Sequence, residues 1–221
     1  MEVWQNRSLL TRGVIRKVII EANLFQGSPQ NPLELLTIFR LGYQNRHLIS
    51  IEPSDSVGEL IEAWLQNQNA QLYQECQIVI EKGLAQVLAT AFTVRVSNVS
   101  TPDWSHWQHG KIAVFPLTDA VQFLSRPLKI LVENNISDRN FLLTVAPGEQ
   151  RKQLHKFFQT GGIEFENGCG LGHMQNLLKE IKRDKYASYR TYVVFDSDAL
   201  KPGKPSNNSE RLKKLCLDLS I

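Results

Sequence analysis

Polar and apolar positions change rhythm midway along the chain, and the second half is the more regular. Pro127 marks the change, because a proline pushes the residue before it out of helical geometry. Residues 128–133 form a short apolar run of strand type. A helix follows, capped by Ser137 and carrying Phe141, Leu142 and Val145. Pro147-Gly148 breaks it, and 149–160 resumes as a helix with Leu154, Phe157 and Phe158 on one side. Gly161-Gly162 stops that helix, and 163–165 is a second short strand. The glycine-rich turn Asn167-Gly168-Cys169-Gly170-Leu171-Gly172 leads into a helix over 173–182. The strongest strand, 190–196, comes next, and a helix begins at Asn207 or Ser209 and runs through Leu212, Leu215 and Leu219. Strands alternating with helices of this length imply a parallel sheet with helices on both faces.

The first half predicts a mixed α+β region. Residues 14–24 fit either a strand or a buried helix. Leu35, Leu36, Ile38, Phe39 and Leu41 have helical spacing over 33–43. Ser54-Asp55-Ser56 precedes a helix carrying Val57, Leu60, Ile61, Ala63 and Leu65. A longer helix is expected over 71–92 and a strand over 93–96. Trp104 and Trp107 sit with His106 and His109 in a polar, turn-rich stretch; they suit either aromatics tucked against a loop or a platform for stacking bases. The expected domains are 1–125, with no role assigned, and 126–221, an α/β domain.

At 221 residues with 42% hydrophobic content, the chain can bury an ordinary core. No apolar stretch approaches the ~20 residues of a membrane span, and Met1-Glu2-Val3-Trp4 lacks a secretory layout. Cys76, Cys169 and Cys216 are too far apart to suggest a zinc knuckle or disulfide framework. A reducing cytoplasm is the expected setting, without membrane association. Net charge is uneven: residues 1–125 hold 9 Lys+Arg against 11 Asp+Glu, whereas 126–221 hold 16 against 11. A basic half suits a polyanionic substrate, or is simply a solvated mixed surface.

The candidate chemistry lies where the two best strands end. Leu131-Val132 stops at Glu133, and Val193-Val194-Phe195 stops at Asp196-Ser197-Asp198. Ligands of open α/β sheets sit beyond the strands' carboxyl ends. Residues i and i+2 of an extended segment point the same way, so Asp196 and Asp198 share one site, and a cation would relieve their repulsion. Three such carboxylates suit Mg²⁺ or Mn²⁺. The competing roles are an exposed strand end for Glu133 and a helix cap or Asx-turn for either aspartate. Lys201, Lys204 and Arg211 follow the aspartates and would grip nucleic-acid phosphates, unless they are a solvated basic loop. The turn Gly168-x-Gly170-x-Gly172 has neither Walker A nor dinucleotide spacing, so a tight strand-to-helix connection is preferred over a phosphate cradle. Cys169 and His173 alone make a poor metal signal. No GxSxG motif occurs.

The order of elements and acids resembles the Toprim domain, and within that family the nucleases of the overcoming-lysogenization-defect (OLD) type. Glu133 matches the glutamate that ends the family's first strand, Gly168-Cys169-Gly170 the turn after its second, and Asp196-Ser197-Asp198 the Asp-x-Asp pair after its third. The segment from Ser137 to Leu142 resembles the opening of the first helix in the nuclease branch. Asn134 stands where the family commonly has glycine, and Asp138 lies one residue further from Glu133 than the common spacing. The family normally adds a strand and a helix after the point where this chain ends. The resemblance therefore implies either a shortened core or a sheet completed by an oligomer, a partner chain or the first 125 residues.

It also implies a Mg²⁺-dependent nuclease acting on DNA, with RNA as the alternative polymer, and a setting in anti-phage defence. Glu133, Asp196 and Asp198 would be catalytic, and Asp138 a further metal ligand. Since no P-loop lysine motif occurs, an ATPase would be a separate subunit. A non-catalytic nucleic-acid-binding or assembly subunit with a degenerate Toprim core is the alternative. A topoisomerase or primase fragment ranks lower, because no nucleophilic tyrosine or template-binding module is identifiable.

Overall fold

The computed structural model describes residues 16–26, 32–52, 57–85, 92–106, 112–196 and 204–219. They divide into two compact units that part between Ser125 and Arg126. Both are α/β, and every strand pairing within a named sheet is parallel.

The N-terminal unit holds a four-stranded sheet of order β2-β1-β3-β4. Its strands are β1 Lys17–Ile20, β2 Leu48–Ile51, β3 Thr93–Val96 and β4 Ile112–Phe115. The region expected to be mixed α+β therefore holds a sheet whose strand pairings are all parallel, with helices between β1 and β2 and between β2 and β3. Each strand has only four residues, too short for periodicity to separate strand from helix, and their direction is set by the connections between them. Of residues 14–24, ambiguous in sequence, the described part, 16–24, holds β1 and the start of a 3₁₀ turn, Ala22–Phe25; 14 and 15 lie outside the described residues.

The helices are α1 Pro32–Tyr43, α2 Val57–Gln66, α3 Ala70–Ala85 and α4 Leu117–Ser125. The expected cap Ser54-Asp55-Ser56 lies outside the described residues. β4 and α4 go beyond the expected elements; Pro116, whose carbonyl accepts the Ala120 N–H, is the sequence signal for the start of α4. One sheet face, formed by Val18, Ile20, Val94, Val96, Ala113 and Phe115, is fully buried. α1 buries Leu35, Ile38 and Phe39, one helical stripe, and packs against α3 and α4. Trp104 lies edge-on to Phe115 and Phe123, at 4.7 and 5.6 Å between ring centroids, so the tucked-aromatic reading holds for it. Trp107 and His109 lie outside the described residues. His47 is a core histidine: its Nδ1 accepts the Arg16 N–H at 3.2 Å, which leaves Nε2 as the donor to the Leu124 carbonyl, 2.9 Å away.

The C-terminal unit holds a three-stranded sheet of order β6-β5-β7. Its strands are β5 Leu128–Val132, β6 Ile163–Asn167 and β7 Thr191–Val194. Central β5 is the most apolar because helices cover both its faces. Leu131 packs with Leu171, Met174 and Leu178 of α7 (Leu171–Ile181) and with Leu212 and Cys216 of α9 (Asn207–Leu219). Ile163 and Phe165 of β6 point the opposite way. They meet Leu143 of α5 (Asn135–Val145) and Leu154 and Phe158 of α6 (Gly148–Gln159), around a small crevice. The Pro147-Gly148 break is present, with Pro147 as the N-cap of α6.

A short helix α8, Lys185–Ser188, precedes β7 and is capped by Asp184. Burial pushes the Asp184 carboxyl up, but the Arg126 guanidinium 2.5 Å away and the Ala187 and Tyr186 amides outweigh it and hold it below the usual carboxylate range. All three cysteines are free thiols; burial pushes Cys216 up to about 11 and Cys76, with help from Glu75, up to about 12. No helix among the described residues is long and apolar enough to cross a membrane.

Candidate metal centre

Glu133 and Asp196 lie at the carboxyl end of the three-stranded sheet. Register pairs Val132 of β5 with Val194 of β7, so the two strands leave the sheet side by side. Glu133 is the first residue beyond β5 and Asp196 the second beyond β7. The Asp196 N–H donates to Glu133 Oε1 at 3.0 Å. The glutamate therefore closes the gap that opens where the ladder stops, and it fixes the direction in which the Asp196 segment departs. Asp196 itself is exposed and Glu133 half-buried.

Asp138 has a different setting. Asn134, not Ser137, caps α5: its Oδ1 accepts the Ile136 and Ser137 N–H groups at 3.0 and 3.1 Å. Asp138 answers reciprocally, Oδ2 accepting the Asn134 N–H at 2.8 Å and Oδ1 the Ser137 hydroxyl at 3.3 Å. The helix starts earlier than expected because asparagine caps as well as serine and stands directly after the Glu133 strand end. Both oxygens of Asp138 thus stabilise the turn that carries Glu133 into α5. A metal-ligand role for Asp138 would require it to give up one of these contacts.

The glycine turn supports the same strand end from the other side. The Gly168 N–H donates to the Val132 carbonyl at 2.6 Å, and the Cys169 N–H donates to Asn167 Oδ1 at 3.1 Å. With the Gly168 amide paired to β5 and the Cys169 amide to Asn167, a tight strand-to-helix connection describes the turn better than a phosphate cradle. Cys169 and Gly170 take positive φ, 48° and 91°, the second being the N-cap of α7. A Cβ on Gly168 would lie 2.2 Å from Met174 Cγ and 2.9 Å from the Val132 carbonyl oxygen. Met174 could yield, but the carbonyl is backbone of the central strand, one residue from Glu133. Gly168→Ala is therefore expected to destabilise the protein by about 2–3 kcal/mol, the upper range for overpacking. Urea unfolding checks it, and an unchanged midpoint would show that the turn shifts freely.

Lys204 and Arg211 are exposed, Arg211 near the start of α9. Asp198 and Lys201 lie outside the described residues. Cys169 and His173 are both exposed, and among the described residues no three His, Cys, Asp or Glu side chains gather as metal ligands. Mg²⁺ is commonly held through only one or two carboxylates, with water and substrate phosphate completing its shell. Glu133 and Asp196, at the ends of the adjacent strands β5 and β7, are residues of the type that could hold it. A second polar cluster lies at the carboxyl ends of β1–β3; its signal in sequence is faint, an acid directly after both β1 and β2. Fold and site together define an α/β protein with acids at the carboxyl end of a parallel sheet. Comparison with family models, curated proteins and solved structures finds no match to this chain.

Proposed function

We propose that this protein is a Mg²⁺- or Mn²⁺-dependent nuclease that hydrolyses phosphodiester bonds in DNA, of the kind the Toprim resemblance implies. The observation that supports the reading is the hydrogen bond from the Asp196 amide to Glu133, which joins the acid-bearing ends of β5 and β7. Glu133, Asp196 and Asp198 would hold the cation, which supplies Lewis-acid polarisation of the phosphodiester and a more acidic water. Glu133, beside the Asp196 amide, would be ligand or general base toward an attacking water. Asp138 keeps the Asn134 turn in place.

The non-catalytic alternative draws support from Asp138, whose oxygens are both engaged in capping. Incubating the protein with plasmid and with single-stranded DNA in Mg²⁺, Mn²⁺ or EDTA separates the readings. Cleavage that EDTA abolishes is expected; DNA binding without cleavage under every condition would favour the binding subunit. The defence setting and a separate ATPase belong to the same proposal, tested by whether an ATPase encoded beside it co-purifies.

The cations are expected to act on affinity, not on chemistry. Replacing Lys201, Lys204 and Arg211 by Ala should weaken DNA binding uniformly across sequences. The slope of log K against log [salt] should fall by about 0.9 for each duplex phosphate that is no longer neutralised. An unchanged slope would return this cluster to ordinary surface.

A further inference from the structure

We propose that the N-terminal unit carries a separate ligand site, at the carboxyl ends of β1, β2 and β3, which takes a free α-amino acid through its carboxylate and ammonium groups. In the order β2-β1-β3-β4, the chain leaves β1 toward one edge and β3 toward the other. Open parallel sheets bind ligands at such a reversal, because the departing connections part there and leave a crevice beyond the strands.

Glu21, Glu52 and Ser97 are each the first residue after β1, β2 and β3. The pairings of Ile20 with Ile51 and with Val96 set the three side by side. Arg95, two residues before Ser97, points to the same face and reaches across them. Its Nη1 lies 2.5 Å from Glu52 Oε1 and 3.7 Å from Glu21 Oε1. The Ser97 hydroxyl donates to Glu21 Oε2 at 2.5 Å, and Asn23 Nδ2 approaches the same oxygen at 3.4 Å. The side chains of Glu21, Glu52 and Arg95 are 19%, 38% and 35% exposed, so the cluster is held in place yet reachable.

The polar groups select the ligand. Arg95 engages these acids through Nη1, while its Nε and Nη2 have no partner among the described residues. That edge of the guanidinium is the fork a carboxylate takes with two parallel hydrogen bonds. Glu52 Oε2 likewise accepts nothing among the described residues, and an ammonium has three donors to offer it and Glu21. Two carboxylates against one guanidinium leave the cluster at −1, which disfavours a dianionic phosphate and is tolerated by a zwitterion whose ammonium faces the acids. β1 also runs into a single 3₁₀ turn, Ala22–Phe25, instead of the helix N-terminus on which sheet proteins usually seat a phosphate.

The test is binding by the full chain, independent of any nuclease activity. Thermal unfolding is followed with each of the twenty L-amino acids at about 10 mM, and with AMP, ATP, ribose 5-phosphate, acetate and ammonium as controls. At least one amino acid should raise the unfolding midpoint by several degrees and bind with one site per chain in calorimetry. Arg95→Lys keeps the charge but removes the fork, and Glu52→Gln removes the ammonium's partner. Each should lower that affinity roughly tenfold or more. The site would be overturned if no amino acid shifts the midpoint, if nucleotides or sugar phosphates shift it instead, or if a folded Arg95→Lys or Glu52→Gln protein binds as the parent does. In the first case the cluster is a structural ion-pair network only.

Discussion

Replacing Asp196 and Asp198 together by Asn is expected to lower metal-dependent DNA cleavage by roughly 10³-fold or more, since removing one preorganised electrostatic group already costs about 10²–10³. Asn keeps the size of Asp but loses the charge, and a neutral amide oxygen is a poor ligand for a strongly hydrated cation. The fold should be unaffected. Asp196 is exposed, and the contact that ties it to β5 uses its backbone N–H, which the substitution leaves in place. Stability should stay level or rise slightly as like charges are removed. Cleavage of plasmid at varied Mg²⁺, read beside the thermal midpoint, checks both halves. Wild-type cleavage by the double variant would remove these carboxylates from the mechanism; a large fall in midpoint would show that they serve structure instead. Glu133→Gln discriminates further, because the amide oxygen can still accept from the Asp196 N–H while the charge is gone.

The largest effect on stability is expected from Gly83→Ala in α3. A Cβ there would stand 1.9 Å from the Ile49 carbonyl oxygen and 3.0 Å from the Ile49 carbonyl carbon, both backbone of β2. Two effects oppose each other. Alanine favours a helix interior over glycine by about 1 kcal/mol. The collision, however, cannot be relieved by a rotamer change, because Ile49 pairs with Val18 of β1 and its position is fixed by the ladder. Gly42 of α1, which packs on α3, is also tightly placed, but there a Cβ would meet side-chain atoms, Ile49 Cγ1 at 2.6 Å and Val79 Cγ1 at 2.8 Å. Overpacking therefore wins, with a net loss of about 2–4 kcal/mol. For a chain of this size that corresponds to a fall of roughly 5–15 °C in the midpoint. Circular dichroism melts of the variant check it; a neutral or stabilising Gly83→Ala would mean that α3 can lift off β2 at little cost.

Several features of the C-terminal unit are legible in sequence because each rests on near neighbours. The apolar run before Glu133, the Pro147-Gly148 break, the glycine turn and the start of α9 follow from local sterics and patterning. The cap of α5 is ambiguous because Asn134 and Ser137 are both good capping residues, and only backbone geometry decides between them. β4 is hidden because a four-residue strand such as Ile112–Phe115 carries too little pattern to separate from loop, whereas α4 has a start signal in Pro116.

What the sequence by itself determined is the alternation of strands and helices after Arg126 and the acids that end β5 and β7, because side-chain sterics and burial act over a few residues. Adjacency, by contrast, comes from the folded chain. Strand order placed β5 between β6 and β7, and so set Glu133 against the Asp196 amide across 63 residues of chain. The same kind of pairing made the first half a parallel sheet and brought Glu21, Glu52, Arg95 and Ser97 together. Such contacts depend on which strands hydrogen-bond and in what register, and that is fixed by how helices pack over the whole sheet, a non-local balance that no short window of sequence contains.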